Sequence, residues 1–515
     1  MSPARGNRRQ NSGNGRALNS QASLNGYVKS ICDIMRRSNC AGALQYVPEL
    51  TWMLFLRILD EREEREAEEA AALGVPFTPS LSEPYRWRDW ASPEGAKRSE
   101  LQNIAMGGFM SFVDNELLPH LRSLGERPGA SLRQVVVSQV FSTVERARVD
   151  TERNLLDILD KVDTLSTESA DKTHMFPLSQ VYEGLLQKMG EKNNDGGQFF
   201  TPREVIRAIV RVADPRIGQV VYDPCCGSGG FLAQAYEHMR AQATTASDIE
   251  LLKTGTFYGR DKENLIYPIA LANLVLHGID APHIWHGNTL TGMASHAALY
   301  TDAPALFDVV LTNPPFGGKE SKDAQTNFAY KTGSTQVLFL QHDIEALADG
   351  GICGTVMDEG VLFRTNETAF VQTKRKLLDE CDLFCLVSLP GGVFANAGAS
   401  SKTNLLFFKK GSPTQRIWYY DLSDIKMGKK NPLTLAHFDD FFQRLALPPD
   451  DPGRESERSW WVPIEEVRAK NFDLKAVNPN RKDERDTRTP EELIAIIEAK
   501  SAEISEALNA LRRAL

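Results

Sequence analysis

Between Asp308 and Phe316 the chain reads Asp-Val-Val-Leu-Thr-Asn-Pro-Pro-Phe, and this stretch restricts the possible folds more than any other. Val309, Val310 and Leu311 form a short, β-branched-rich apolar run, the pattern of a strand buried on both faces of a parallel sheet. Two prolines then stop the run, because neither can donate to a central ladder. Asn313 is therefore expected at the carboxyl edge of an open α/β sheet, where such folds bind ligands. There the chain presents the Asn313 amide, the Pro314 carbonyl, Pro315 and the Phe316 ring together. This set suits a flat heterocycle with an exocyclic amine. The amine donates to the Asn313 side-chain oxygen and the Pro314 carbonyl, while Phe316 stacks on the ring. Taken alone, the motif also fits a plainer description, a strand followed by a Pro-rich turn and a buried Phe.

Its neighbours narrow the choice. Val220-Val-Tyr-Asp223-Pro-Cys-Cys-Gly227-Ser228-Gly229-Gly230-Phe231 predicts a strand ending in an acid, a glycine-rich turn and a helix start. Glycines admit a ligand close to the backbone, and the helix start offers free N–H groups. A dinucleotide fingerprint would want glycine at position 232, which is Leu. Asp223 ahead of the turn suits a positive amino group better than a pyrophosphate. Phe257-Tyr-Gly-Arg-Asp261 is a second strand ending in an acid, the position that takes ribose hydroxyls in nucleoside-binding folds. Ile284-Trp-His-Gly-Asn288 is a third strand end, whose Asn288 amide is placed to read an adenine edge. Upstream, Gln198-Phe199-Phe200-Thr201-Pro202-Arg203 leads into a helix. Thr201 is read as its N-cap and Pro202 as its first residue, a place to hold a carboxylate.

The remaining chain sorts into segments. Residues 1–20 are rich in Asn, Gly, Ser and Arg without an acid, and are read as a disordered basic tail. Residues 21–165 read as helical, with helices near 100–125, 131–147 and 151–162 and the Trp87–Trp90 segment as a loop. Residues 166–470 hold the alternating strands and helices of a predominantly parallel sheet, including a helix over 177–195. The polar, Lys-bearing loop 317–335 is read as a mobile cover. Residues 471–515 form a charged linker and a helix whose Ile494, Ile497, Ile504, Leu508, Leu511 and Leu515 repeat at alternating three- and four-residue spacing, once Ser501 is included. That is a seam for a partner helix.

At 515 residues, two or three domains are expected. A formal net charge of -9 argues against a chain that grips DNA by itself over its whole surface. The seven cysteines form no CxxC pair, so reduced thiols in a cytoplasm are expected and a zinc or other metal site is not. No apolar run approaches membrane-spanning length.

Taken in order, Gly-Gln-Phe-Phe-Thr-Pro-Arg, Asp-Pro-Cys-Cys-Gly-Ser-Gly-Gly and Asn-Pro-Pro-Phe resemble the adenine-N6 DNA methyltransferases. The nearest likeness is to modification subunits of type I restriction-modification systems. The likeness extends to the Leu54-Phe-Leu-Arg-Ile-Leu-Asp60 helix and the Asn471-Phe-Asp-Leu474 element. It implies an α/β, Rossmann-like class I methyltransferase domain with a mainly α-helical N-terminal domain and a C-terminal helix. It also implies S-adenosyl-L-methionine as cofactor, with Gln198–Arg203 and Ser228–Gly230 lining its pocket and Asp261 on its ribose. The implied partners are double-stranded DNA, a separate specificity (target-recognition) subunit and a second copy of the chain, with room for a restriction nuclease/translocase subunit. Asp261 stands where Glu is frequent in the family, and Asn288 where Asp is. Glutamine-amide methylation of protein and a non-enzymatic binding module are the competing expectations.

Overall fold

The computed structural model describes residues 21–38, 40, 43–104, 107–165, 201–394, 402–428, 431–475, 477–480 and 489–514. The basic tail 1–20, the helix expected over 177–195, and Gln198, Phe199 and Phe200 lie outside the described residues, as do 481–488 of the charged linker.

The first part of the chain is helical, led by Gln21–Arg37 and the long Ala43–Leu73. The expected 100–125 helix is divided into Gly108–Phe112, a π-turn at Val113–Leu117 and Leu118–Ser123. The helix expected over 131–147 stops earlier, running from Leu132 to Val140 behind a Ser131 cap. Trp87–Trp90 is one helical turn rather than a loop, with both indoles buried.

The second part is built on one mixed sheet. Its strands are β1 (Val221–Asp223), β2 (Phe257–Asp261), β3 (His283–Asn288), β4 (Met293–His296) and β5 (Phe307–Thr312). The others are β6 (Leu347–Asp358), β7 (Cys381–Ser388), β8 (Thr403–Lys410), β9 (Arg416–Asp421) and β10 (Ser459–Pro463). Their spatial order is β10-β9-β7-β8-β6-β5-β1-β2-β3-β4. The centre, β3-β2-β1-β5-β6, is parallel throughout. β8 is inserted antiparallel between β6 and β7, and the edge strands β4 and β10 are also antiparallel. From β1 the chain proceeds to β2 on one side, while β5 pairs on the other. The strand order reverses between β1 and β5, and open sheets bind ligands at such a reversal.

Alternation along the central strands explains the double coverage. Val309 and Leu311 join the core on one face of β5 and Val310 the core on the other. The first face is covered by helices Arg203–Ala213, Gly230–Arg240 and Tyr267–Leu276, the second by Thr335–Ala346 and Thr368–Glu380. Every residue of Tyr267–Leu276 is buried, because the sheet lies on one side of it and helices Ala43–Leu73 and Leu132–Val140 on the other. No helix among the described residues is long and apolar enough to cross a membrane.

Candidate active site at the β1–β5 switch

Asp223, Asp261, Asn288 and Asn313 stand at or just beyond the carboxyl ends of β1, β2, β3 and β5. Side chains stitch these ends together. The Asn313 Nδ2 donates to Thr201 Oγ1 at 2.9 Å, joining two motifs 112 residues apart. The Asn313 Oδ1 is buried and accepts nothing among the described residues. Pro314 is buried, Pro315 exposed, and the half-buried Phe316 meets the Phe394 ring edge-on at 5.3 Å. The Pro314 carbonyl accepts from Gln336 Nε2 at 3.3 Å, leaving one of its two lone pairs for a further donor.

The glycine turn is held from three directions. The Gly227 N–H donates to Asp261 Oδ2 at 3.0 Å, Asn273 Nδ2 donates to the Ser228 carbonyl at 2.9 Å, and Thr289 Oγ1 donates to the Pro224 carbonyl at 2.6 Å. Gly229 starts the Gly230–Arg240 helix with φ at +80°. A Cβ there would lie 3.3 Å from Leu274. Glycine is thus required by the left-handed turn and by helix packing, as well as by any close ligand.

Asp223 is 1% exposed. Burial pushes its carboxyl up to about 8, opposed by the Cys225 N–H and the Thr312 hydroxyl and reinforced by Asp261. Burial likewise raises Asp261 to about 6, against hydrogen bonds from the Glu263 and Gly227 N–H groups. Two acids whose charged forms are opposed by burial suit a ligand that brings a cation and hydroxyl donors. The Cys225 thiol faces Thr312 Oγ1 at 3.0 Å, and burial raises it and Cys226 well above the ordinary thiol range.

One expectation changes, the helix cap. Thr201 is not the cap of the Arg203–Ala213 helix, since Pro202 occupies that position with φ -54° and ψ 134°. The Thr201 hydroxyl holds Asn313 instead. Burial and neighbouring Arg207 lower the Arg203 guanidinium to about 10, which leaves it a cation at neutral pH. The Asn288 Oδ1 accepts from the Leu290 and Thr291 N–H groups at 3.0 and 3.3 Å, so this side chain shapes its own turn. Segment 317–335 is anchored, with Ala324 and Phe328 packed against Leu290, Leu338 and Phe339 and the Tyr330 N–H donating to Gln341.

Sequence reasoning missed Thr312, Asn273, Thr289 and Gln336. Thr312 adjoins the motif and alternates inward along β5. The other three carry no local pattern, because each acts on a segment distant in sequence.

The N-6 DNA Methylase family matches residues 174–487, and the HsdM N-terminal domain family matches residues 24–162. The chain is 33% identical over 500 residues to the type I restriction enzyme EcoEI methylase subunit of Escherichia coli, covering 95% of this chain and 97% of that one. It is 30% identical over 455 residues to the StySPI methylase subunit of Salmonella potsdam, covering 85% and 78%. A solved chain from work on complex assembly and conformational transition of the type I R-M system shares 37% identity. It has a TM-score of 0.72 and coverage of 96% of this chain and 98% of that one. A modification subunit from Vibrio vulnificus YJ016 shares 32% identity, with a TM-score of 0.75 and coverage of 90% and 97%. With relatives matched across nearly their whole lengths and a site built on the matched motifs, the chain belongs to the methylase subunits of type I restriction enzymes, within the N-6 DNA methylase family.

Proposed function

We propose that this methyltransferase subunit transfers a methyl group from S-adenosyl-L-methionine to N6 of an adenine swung out of double-stranded DNA, in a complex whose separate specificity subunit selects the site. The supporting observation is the buried Asn313 Oδ1, which has no partner among the described residues although Thr201 fixes the other end of the same amide. A buried acceptor left unmatched costs about 1–3 kcal/mol, so a ligand donor is the natural complement. The adenine amine is such a donor, with the free lone pair of the Pro314 carbonyl beside it.

The N6 lone pair is delocalised into the ring and is a poor nucleophile. Hydrogen bonds from N6 to Asn313 and Pro314 localise it and aim it, which is catalysis by orientation and electrostatics. Bound S-adenosyl-L-methionine supplies an electrophilic methyl group. Asp223 and Asp261 take its amino and ribose groups, Ser228–Gly230 and Gln198–Arg203 line its pocket, and Asn288 shapes the rim. Phe316 replaces the stacking that the base loses on leaving the duplex. Direct transfer needs no thiolate, in keeping with the raised Cys225 and Cys226 thiols.

The exposed Pro490–Ala514 helix carries Ile494, Ile497, Ile504 and Leu508 at 50–64% exposure, and we assign it to the specificity subunit. Protein glutamine-amide methylation would use the same acceptors, but the family matched over residues 174–487 is N-6 DNA Methylase. The test is methyl label from S-adenosyl-L-methionine offered to the assembled complex with duplex DNA. N6-methyladenine in nuclease digests supports the proposal. Label in protein, or on another base, refutes it.

A further inference from the structure

We propose that Gln336 is a positioning residue for this reaction: it fixes the Pro314 carbonyl against the end of β6, and the Asn471–Leu474 element holds that end of β6 from behind. The inference rests on the assignment of Pro314 as an acceptor for the target amine.

Gln336 is the second residue of the Thr335–Ala346 helix and is 3% exposed. Both ends of its amide are engaged. Nε2 donates to the Pro314 carbonyl at 3.3 Å, and Oε1 accepts from the Asp358 N–H, the last residue of β6, at 3.1 Å. A buried amide used at both ends cannot rotate without losing a bond. The direction of the Pro314 carbonyl relative to Asn313 Oδ1 is therefore tied to β6 and not left to the turn. Two acceptors on one nitrogen localise its lone pair only if their separation is fixed, which gives this bond its consequence.

Behind Asp358 the chain turns through the short Glu359–Phe363 helix, with Asp358 Oδ1 accepting from the Gly360 N–H at 2.6 Å. Four bonds clamp the segment that follows. The Leu362 carbonyl accepts from the Leu474 N–H at 3.1 Å and from Lys374 Nζ at 2.7 Å. The Arg364 carbonyl accepts from the same Lys374 Nζ at 2.9 Å, and the Thr365 carbonyl from Asn471 Nδ2 at 2.8 Å. Lys374 is fully buried. Asn471 and Phe472 both adopt positive φ, 52° and 60°, an unfavourable backbone for non-glycine residues. The Tyr419 hydroxyl holds this conformation by donating to the Leu474 carbonyl at 2.9 Å. Hydrogen bonds joined through the Glu359–Phe363 segment thus connect the Asn-Phe-Asp-Leu element to the turn that carries the acceptors.

The test uses the complex reconstituted with its specificity subunit. Gln336→Met keeps the side-chain volume and removes the donor. Its kcat should fall on the order of tenfold to a hundredfold, as for a slightly misplaced reacting group, while KM and calorimetric affinity for S-adenosyl-L-methionine stay at wild-type values. Asn471→Ala alters an exposed side chain and should shift kcat in the same direction by less, again without changing cofactor affinity. It keeps the question answerable should Gln336→Met fail to fold. Wild-type kcat in whichever of the two variants folds overturns the inference, as does a kcat loss matched by an equal loss of cofactor affinity, the signature of general structural damage. Asn313→Ala in the same assay separates the two levels. If Asn313→Ala is inactive while Gln336→Met is unimpaired, only the positioning role fails. If Asn313→Ala is active, the acceptor assignment fails and the positioning role with it.

Discussion

Asn313 and Asp223 stand at the ends of neighbouring strands, and each holds chemistry that the described residues do not complete. For Asn313 this is a buried acceptor with no donor among the described residues. Asn313→Ala should reduce methyl transfer at least about a hundredfold, the scale for removing one polar group aimed at a reacting atom, and leave cofactor affinity intact. Parallel turnover and titration measurements check this. Phe316→Ala should weaken capture of the flipped base by about 1–3 kcal/mol, the scale of base–aromatic stacking. It is read from DNA affinity of the assembled complex. For Asp223 the incomplete group is a carboxyl raised by burial from 3.8 to about 8. Between those values the folded state retains a proton that the unfolded state has lost, so its contribution to stability is most favourable at acid pH and declines as pH rises toward 8. Asp223→Asn should therefore raise the unfolding midpoint at pH 8 relative to wild type and show little gain near pH 4, while S-adenosyl-L-methionine affinity drops. A docked cationic amino group would favour the ionised acid, so wild-type cofactor binding at pH 7 should release a proton. Calorimetry in two buffers of different ionisation enthalpy detects it.

The glycine-rich turn is the element on which strand, helix and pocket depend together. Gly229→Val would place a β-branched side chain at φ +80° with its Cβ 3.3 Å from Leu274. It should lower stability by about 1–3 kcal/mol through backbone strain alone and abolish cofactor binding in whatever fraction folds. Thermal unfolding together with calorimetry measures both effects. Elements of this kind were legible in the sequence because their signals are local: an apolar run ending in Asn-Pro-Pro, an acid before glycines, an acid closing a short strand. β4 and β10 carried no such signal. Each is a short edge strand whose existence depends on antiparallel pairing with β3 or β9. The Thr201 expectation followed a sound local rule for a residue before proline. It was displaced by a tertiary partner, Asn313, which no local pattern could reveal. The same holds for Gln336, an ordinary helix residue until β5 and β6 are placed around it.

At the scale of the whole molecule, Asp280 joins the helical N-terminal part to the sheet. Its carboxylate receives Arg62 and lies 3.5 Å from Arg133 and 3.7 Å from Lys253. Arg62 also donates to the Val275 carbonyl at 3.0 Å. Asp280→Ala leaves partly buried cations without their shared acid and should cost about 1–3 kcal/mol, visible as a lowered unfolding midpoint. At the other end, polar replacement of Ile497, Ile504 and Leu508 should leave cofactor binding unchanged and abolish co-purification with the specificity subunit. Stoichiometric assembly of that triple variant would remove the helix from the docking surface. With a net charge of -9, the chain alone should bind duplex DNA weakly and with little sequence preference. The most direct test of the account is a single-turnover methylation assay on the assembled complex, with labelled S-adenosyl-L-methionine and a duplex carrying the target site. Wild type should place the label on adenine N6, and Asn313→Ala, binding cofactor normally, should place almost none. Near-wild-type transfer by Asn313→Ala would contradict it.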